Sequence, residues 1–298
     1  MDYKTPLPFT GSGLNIFEDK RSPEALKEFV DDPKARAVLL YKGQPALRPD
    51  FSLLSVHPSD AAQFPHFPPG LLFLGVDKIG PVFGLSVKAP AHPLQEQDFQ
   101  PLRMVGANLP ARDLAIAGYA RSLFDWHYNH PFCAKCGAQS EMWDGGLKRV
   151  CVECQTEHFP RVNPVAIMLP IYEDYCLVAR GPNWPPGFFS ALAGFVSPGE
   201  SLEECCIREV SEEVGLVVHS PRYVFSQPWP FPSQLMMGLL CQANSQVLSL
   251  NMAEISEAKW VSRAEIVATL DNTNPAFKLP PKVAIAHHLF KYWIEDSA

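Results

Sequence analysis

Between Gly194 and Leu216 the chain reads GFVSPGESLEECCIREVSEEVGL, with six glutamates in 23 residues. Ser201-Leu202-Glu203-Glu204 has the S-x-x-E form of a capping box, so the spacing predicts a helix beginning at Ser201. Gly215 is suited to the left-handed residue that closes a helix, which limits this one to about four turns. On it, Leu202, Cys206, Val210 and Val214 recur every fourth residue and make a buried stripe. Glu209, Glu212 and Glu213 stand at i, i+3 and i+4, so three carboxylates share one face. Their repulsion calls for compensation. A hard divalent cation such as Mg²⁺ or Mn²⁺ supplies it and prefers carboxylate oxygen; a solvated acidic face is the other reading. Gly194, Pro198 and Gly199 favour the first, because they bend the chain where backbone groups can approach a ligand.

CAKCGAQSEMWDGGLKRVCVEC is a second constellation. Cys133 and Cys136 form one C-x2-C pair, Cys151 and Cys154 another, and two such knuckles offer four thiolates to one tetrahedral zinc. Sulfur fills every position, so this Zn²⁺, one per chain, is expected to be structural; two disulfides or four unrelated thiols are the alternatives. Cys176 and Cys241 read as small core residues. The third stretch, SQPWPFPSQLMMG from Ser226 to Gly238, is stiffened by proline and carries two flat rings and an amide. It could stack on a base and hydrogen-bond it, or be an aromatic pair packed in a rigid turn.

Around these stretches, 298 residues allow about two domains. A net charge of −7 argues against holding duplex nucleic acid by charge neutralisation. No run approaches the ~20 apolar residues of a membrane span. The first residues lack a signal-peptide pattern, and the last, Asp296-Ser297-Ala298, do not read as a peroxisomal address, so a cytoplasmic setting is expected. Residues 1–130 read as an α+β domain with strands at 37–41, 70–76 and 82–87 and a helix from about Pro110 to Trp126, on which Leu114, Ala117, Arg121 and Phe124 fall at helical spacing. No catalytic constellation occurs there, and a structural or dimerising role is expected. Residues 131–160 form the zinc ribbon. Residues 161–298 alternate strands at 165–169, 175–179 and 235–241 with the glutamate helix and a last helix near 282–295, an order that suggests a sheet between helices. The 30 prolines cluster in what read as rigid loops, Pro228 to Pro232 among them.

Gly194, Glu200, Arg208-Glu209, Val210, Glu212-Glu213, Gly215 and Leu216 occupy every fixed position of G-x5-E-x7-R-E-U-x-E-E-x-G-U, where U is a bulky aliphatic residue. The segment resembles the signature of the Nudix hydrolases. The resemblance implies hydrolysis of a nucleoside diphosphate linked to another group, in an α/β/α sandwich. It assigns the divalent metal to Glu209, Glu212 and Glu213 with the Ala193 carbonyl, and bracing of the loop and helix to Glu200 and Arg208. Bound metal would neutralise charge at phosphorus and activate a water, and Glu213 or Glu212 would take the water's proton.

Ser226 to Pro232 is similar to the S-Q-P-W-P-F-P-x-S motif of the NADH pyrophosphatase subfamily, except that Ser233-Gln234 stands in place of x-Ser. The zinc ribbon ahead of the Nudix segment fits that subfamily too. What this implies is a homodimer in which Phe159 and Phe195 stack on the adenine and the loop Gln227, Pro228, Trp229, Pro230, Phe231, Pro232, Ser233 and Gln234 contacts substrate. Glu254 adds a metal carboxylate, Ala286 a backbone contact, and Arg103, across a one-residue gap, a substrate-binding guanidinium. The expected activity is cleavage of NADH or NAD⁺ to AMP and the nicotinamide mononucleotide, with removal of NAD caps from RNA as a companion. A broader hydrolase of ADP-ribose or dinucleoside polyphosphates, and a zinc-ribbon protein that senses a nucleotide without cleaving it, are the rivals.

Overall fold

The computed structural model describes residues 6–91, 94–273 and 276–296; the C-terminal Ser297 and Ala298 considered above lie outside them. The chain divides into two units, one of residues 1–162 with Trp229–Ser233, the other of residues 163–228 with 234–298. Five residues far along the chain thus belong structurally with its beginning.

In the first unit, Arg36–Tyr41 runs parallel to Pro81–Val87, which pairs antiparallel with His66–Val76, and the short strands 44–45 and 55–56 both pair with Arg36–Tyr41. The apolar runs seen in sequence are these strands; Ala37, Leu39, Leu40, Leu72, Leu74 and Leu85 have no exposed surface. The helix expected from Pro110 extends over Ala111–Asn129 and buries Leu114, Ala117, Ala120 and Phe124. Phe124 can lie close on the sheet because residue 84 is glycine: a β-carbon there would stand 3.0 Å from its ring. The zinc-ribbon segment is a three-stranded antiparallel sheet of Ser140–Trp143, Lys148–Cys151 and Glu157–His158.

The second unit is a six-stranded mixed sheet in which Asn163–Tyr172 runs parallel to Gln234–Ala243 and antiparallel to Tyr175–Arg180 and Leu192–Phe195. Side chains alternate between faces along a strand. Leu239 and Cys241 point into a core with Cys206, Val210 and Val214 of the glutamate helix, whereas a β-carbon on Gly238 would meet Leu289 of the helix Ile285–Glu295 at 3.4 Å. The two helices cover opposite faces, giving the expected α/β/α sandwich. Three strands were not foreseen, Leu192–Phe195 among them. Val218–Trp229 includes Pro221 and the start of the SQPWPFP stretch, correcting the loop reading of Pro228, and Glu257–Ser262 closes one edge. Among the described residues no helix is long and apolar enough to cross a membrane.

Candidate active site

The glutamate helix spans Leu202–Val214 and both its ends behave as the sequence requires. Ser201 accepts from the Glu204 backbone N–H at 3.2 Å while the Glu204 carboxylate accepts from the Ser201 N–H at 2.7 Å. Gly215 takes φ +69°, a left-handed turn that stops the helix. Cys206, Val210 and Val214 are fully buried, as the stripe demands, and so are Cys176, Cys205 and Cys241.

Before the helix, the Leu192–Phe195 strand carries Ala193 and Gly194 past its inner side. Arg208 reaches back from the helix and donates through Nε and Nη2 to the two oxygens of Glu200, at 2.7 and 2.9 Å. The same Nη2 donates to the Phe195 carbonyl at 3.1 Å, and the Ser197 N–H donates to Glu200 at 2.9 Å. A forked guanidinium–carboxylate pair fixes direction as well as distance, so loop and helix are held in one geometry. Arg208 Nη1 also donates to Glu209 at 2.8 Å and to Glu212 at 3.0 Å. Two of the three clustered carboxylates therefore have a cation of the protein's own.

Glu213 has none. It is 7% exposed and its Oε2 is buried without a hydrogen-bond partner. Burial, and then the charges of Glu209, Glu254 and Glu212, push its carboxyl up to about 8. An ionised carboxylate is not normally left so. Gly194 completes the arrangement, since any β-carbon there would overlap the Glu209 carboxyl. An orphaned buried oxygen, a glutamate cradled against bare backbone, and Glu254 within electrostatic reach fit a divalent cation bound through oxygen.

The four zinc-ribbon cysteines are drawn tight. Their sulfurs lie within 4.8 Å of one another, with Cys133–Cys154 at 3.7 Å and Cys136–Cys151 at 3.4 Å. A tetrahedron with Zn–S bonds near 2.3 Å has edges of ~3.8 Å, so the donors fit zinc. Gly137, at φ +81°, turns the first knuckle. His158 Nε2 lies 3.2 Å from Cys133 Sγ, a contact of the kind that orients a metal ligand, and nothing in its sequence neighbourhood marked it.

The SQPWPFP residues divide between the two units. Gln227 is fully buried and donates to the Val283 carbonyl at 3.0 Å, fixing the segment ahead of Ala286, itself 2% exposed. Trp229 and Phe231 are half-buried and meet each other edge-on with ring centres 4.9 Å apart, and Phe9 packs edge-on to them at 5.9 and 6.1 Å. Arg103 lies 4.4 Å from the Phe231 ring centre and 5.7 Å from that of Trp229. Arg121 Nε donates to the Pro230 carbonyl at 2.7 Å, and Ser122 Oγ to that of Pro232 at 3.0 Å. Gly118 leaves room, since a β-carbon there would come 3.2 Å from Pro230. The holding residues escaped the sequence reading, although a charged Arg121 inside an apolar helical stripe was a clue. Pro228 and Pro232 are exposed, and Ser233 and Gln234 half-buried. Phe159 and Phe195 expose 61% and 55% of their surface, and Glu254 is exposed.

A capping-box helix bearing Glu209, Glu212 and Glu213, braced by Arg208 and Glu200 on an α/β/α sandwich, is the arrangement of one family, and comparison with known proteins agrees. Residues 162–282 match the profile of the NUDIX domain, residues 129–159 that of the NADH pyrophosphatase zinc ribbon domain, and residues 34–126 that of the NADH pyrophosphatase-like rudimentary NUDIX domain. The chain belongs to the Nudix hydrolase family, among its zinc-ribbon members. It is 36% identical to the NAD-capped RNA hydrolase NudC of Stutzerimonas stutzeri over 72% of this chain and 74% of that one. Against the human protein named NAD(P)H pyrophosphatase NUDT13, mitochondrial, identity is 38% over 76% of this chain and 68% of the other. With the human NAD-capped RNA hydrolase NUDT12 it shares 40% over 62% of its own length, and there it spans only 43% of the relative.

Proposed function

We propose that this chain hydrolyses the pyrophosphate of NADH or NAD⁺ to AMP and the nicotinamide mononucleotide, and that it acts likewise on the NAD cap of an RNA 5′ end. The observation that carries the proposal is Glu213, a buried carboxylate with an unpartnered oxygen beside Glu209, Glu212 and Glu254. In this reading these four glutamates and the Ala193 carbonyl hold Mg²⁺ or Mn²⁺. Divalent metal held there would supply charge neutralisation at the pyrophosphate and would lower the pKa of a bound water. Glu200 and Arg208 keep the loop and helix in register. Glu213 or Glu212 takes the proton of the water, and Glu212, more than half exposed, pairs with Arg208 at the surface. Phe159 and Phe195 present open rings for the adenine, and Arg103 with the Gln227–Gln234 loop forms the rest of the substrate surface, in a homodimer. Relatives named for NAD(P)H and for NAD-capped RNA support this choice of substrate over ADP-ribose or dinucleoside polyphosphates.

The test is incubation with NADH, NAD⁺, ADP-ribose and an NAD-capped RNA in Mg²⁺ or Mn²⁺, with separation of products. AMP from NADH or NAD⁺, and release of the cap from the RNA, are expected. Absence of AMP from every dinucleotide would overturn hydrolysis, and faster cleavage of ADP-ribose than of NADH would overturn the substrate.

A further inference from the structure

The first unit contains a cavity that the Nudix chemistry does not use. It has a volume of about 360 Å³ and lies between the long helix Ala111–Asn129 and the strands at 36–41, 66–76 and 81–87. Its floor is Phe124, set against the sheet over Gly84. Its walls are aromatic: Phe67 and Tyr128 meet edge-on at 5.5 Å, and Tyr41 lines it too. Tyr128 leaves 63% of its surface open, more than a core residue would.

Charge at this cavity runs against that of the whole chain. The protein carries a net −7, yet Lys42, Lys88 and Arg121 line the cavity with Asp125 as the one carboxylate. Lys88 stands over the Phe67 ring at 5.6 Å, and among the described residues no carboxylate pairs with it. Lys42 lies over Tyr41 at 4.7 Å and meets Glu96 at 3.4 Å, with both side chains largely exposed; such a pair adds little and yields readily to a better anion. Flat apolar walls select a planar ring, cations at the rim select an anion, and a carboxylate between them can accept from a sugar hydroxyl or an exocyclic amine. The volume suits one nucleotide and is at the small end for a ligand pocket.

We propose that this cavity is a second nucleotide site, binding a nucleoside monophosphate with its base against Phe67 and Tyr128 and its phosphate on Lys88 and Lys42. The Glu209-Glu212-Glu213 set has no counterpart among its lining residues, so the ligand is held and not cleaved. The inference goes beyond the proposed hydrolysis and does not depend on it.

Equilibrium dialysis of labelled AMP against the full chain tests it, with the double variant Lys88→Glu, Tyr128→Ala as comparison. Both side chains are exposed, so the fold is expected to survive, which circular dichroism checks. The variant should bind one AMP fewer per chain than the parent, with kcat/KM for NADH changed less than twofold. Equal AMP stoichiometry in parent and variant would overturn the site. Loss of AMP binding together with a tenfold or greater fall in kcat/KM would also overturn it, by placing these residues in the substrate site.

Discussion

The carboxyl group of Glu209 occupies the space into which a β-carbon on residue 194 would project. Glycine in the Nudix box is here a requirement of volume. Gly194→Ala should therefore displace Glu209 by about an ångström, and a displacement of that size costs on the order of 100-fold in rate. Steady-state assays should show the loss in kcat while zinc content stays unchanged. Full activity in the alanine variant would mean that Glu209 does not need this position.

Glu213→Gln separates function from stability. Turnover should fall to background. In the absence of divalent metal the variant should be the more stable protein, since it removes a buried group that resists ionisation. The carboxyl is pushed up from 4.5 to about 8 in the folded chain, so the parent loses stability as pH rises from the first value to the second and levels off above it, and the glutamine variant does not. Urea denaturation of metal-free proteins at pH 6 and pH 9 checks this: the variant's advantage should grow with pH. An advantage that shrank would contradict the buried, unpartnered position of Glu213.

Removing zinc should unfold the ribbon. Cys151→Ser takes one of the four sulfurs from the cluster, and a structural zinc site contributes folding energy directly. Metal analysis should give one zinc per chain for the parent and none for the variant. X-ray absorption of the parent should show a shell of four sulfurs near 2.3 Å.

Acid should loosen the packing of the ribbon on the long helix through His127. Its Nε2–H donates to the Gly146 carbonyl at 2.9 Å, and its Nδ1 accepts from Arg149 at 3.2 Å. Both contacts fit the neutral ring. Burial, with Arg149 nearby, lowers its pKa from 6.5 to about 4. Stability present above pH 6.5 is lost as pH falls toward 4, by about 3 kcal/mol at most. Denaturation midpoints between pH 7 and 4.5 should fall more steeply for the parent than for His127→Gln. Parallel slopes would remove His127 from the account.

What the sequence disclosed and what it hid follow from the range of the interactions. The glutamate helix was legible because Ser201, Glu204 and Gly215 state its ends locally, and the zinc site because four cysteines in 22 residues can meet only in a few ways. The strand Val218–Trp229 was hidden by Pro221 and Pro228, which a chain tolerates where no ladder bond needs their nitrogen. That Glu213 is buried could not be seen either. It is the chain neighbour of Glu212, which is exposed, and the segment at Asn251, whose N–H donates to the Glu213 backbone carbonyl at 2.9 Å, comes from far along the chain. Phe9 and Trp229 are separated by more than 200 residues, and no local pattern announces their contact.

The excursion of Trp229–Ser233 into the N-terminal unit has a consequence for how such a protein can be inherited. A chain cut before Asn163 would keep every glutamate of the Nudix box, yet it would leave Trp229 and Phe231 without Phe9, Arg103 and Arg121, and the Pro230 carbonyl without its donor. The shape of Trp229–Ser233 is thus set by residues that precede Asn163, and a change at Phe9, Arg103 or Arg121 must be compatible with Trp229, Pro230 and Phe231 to persist.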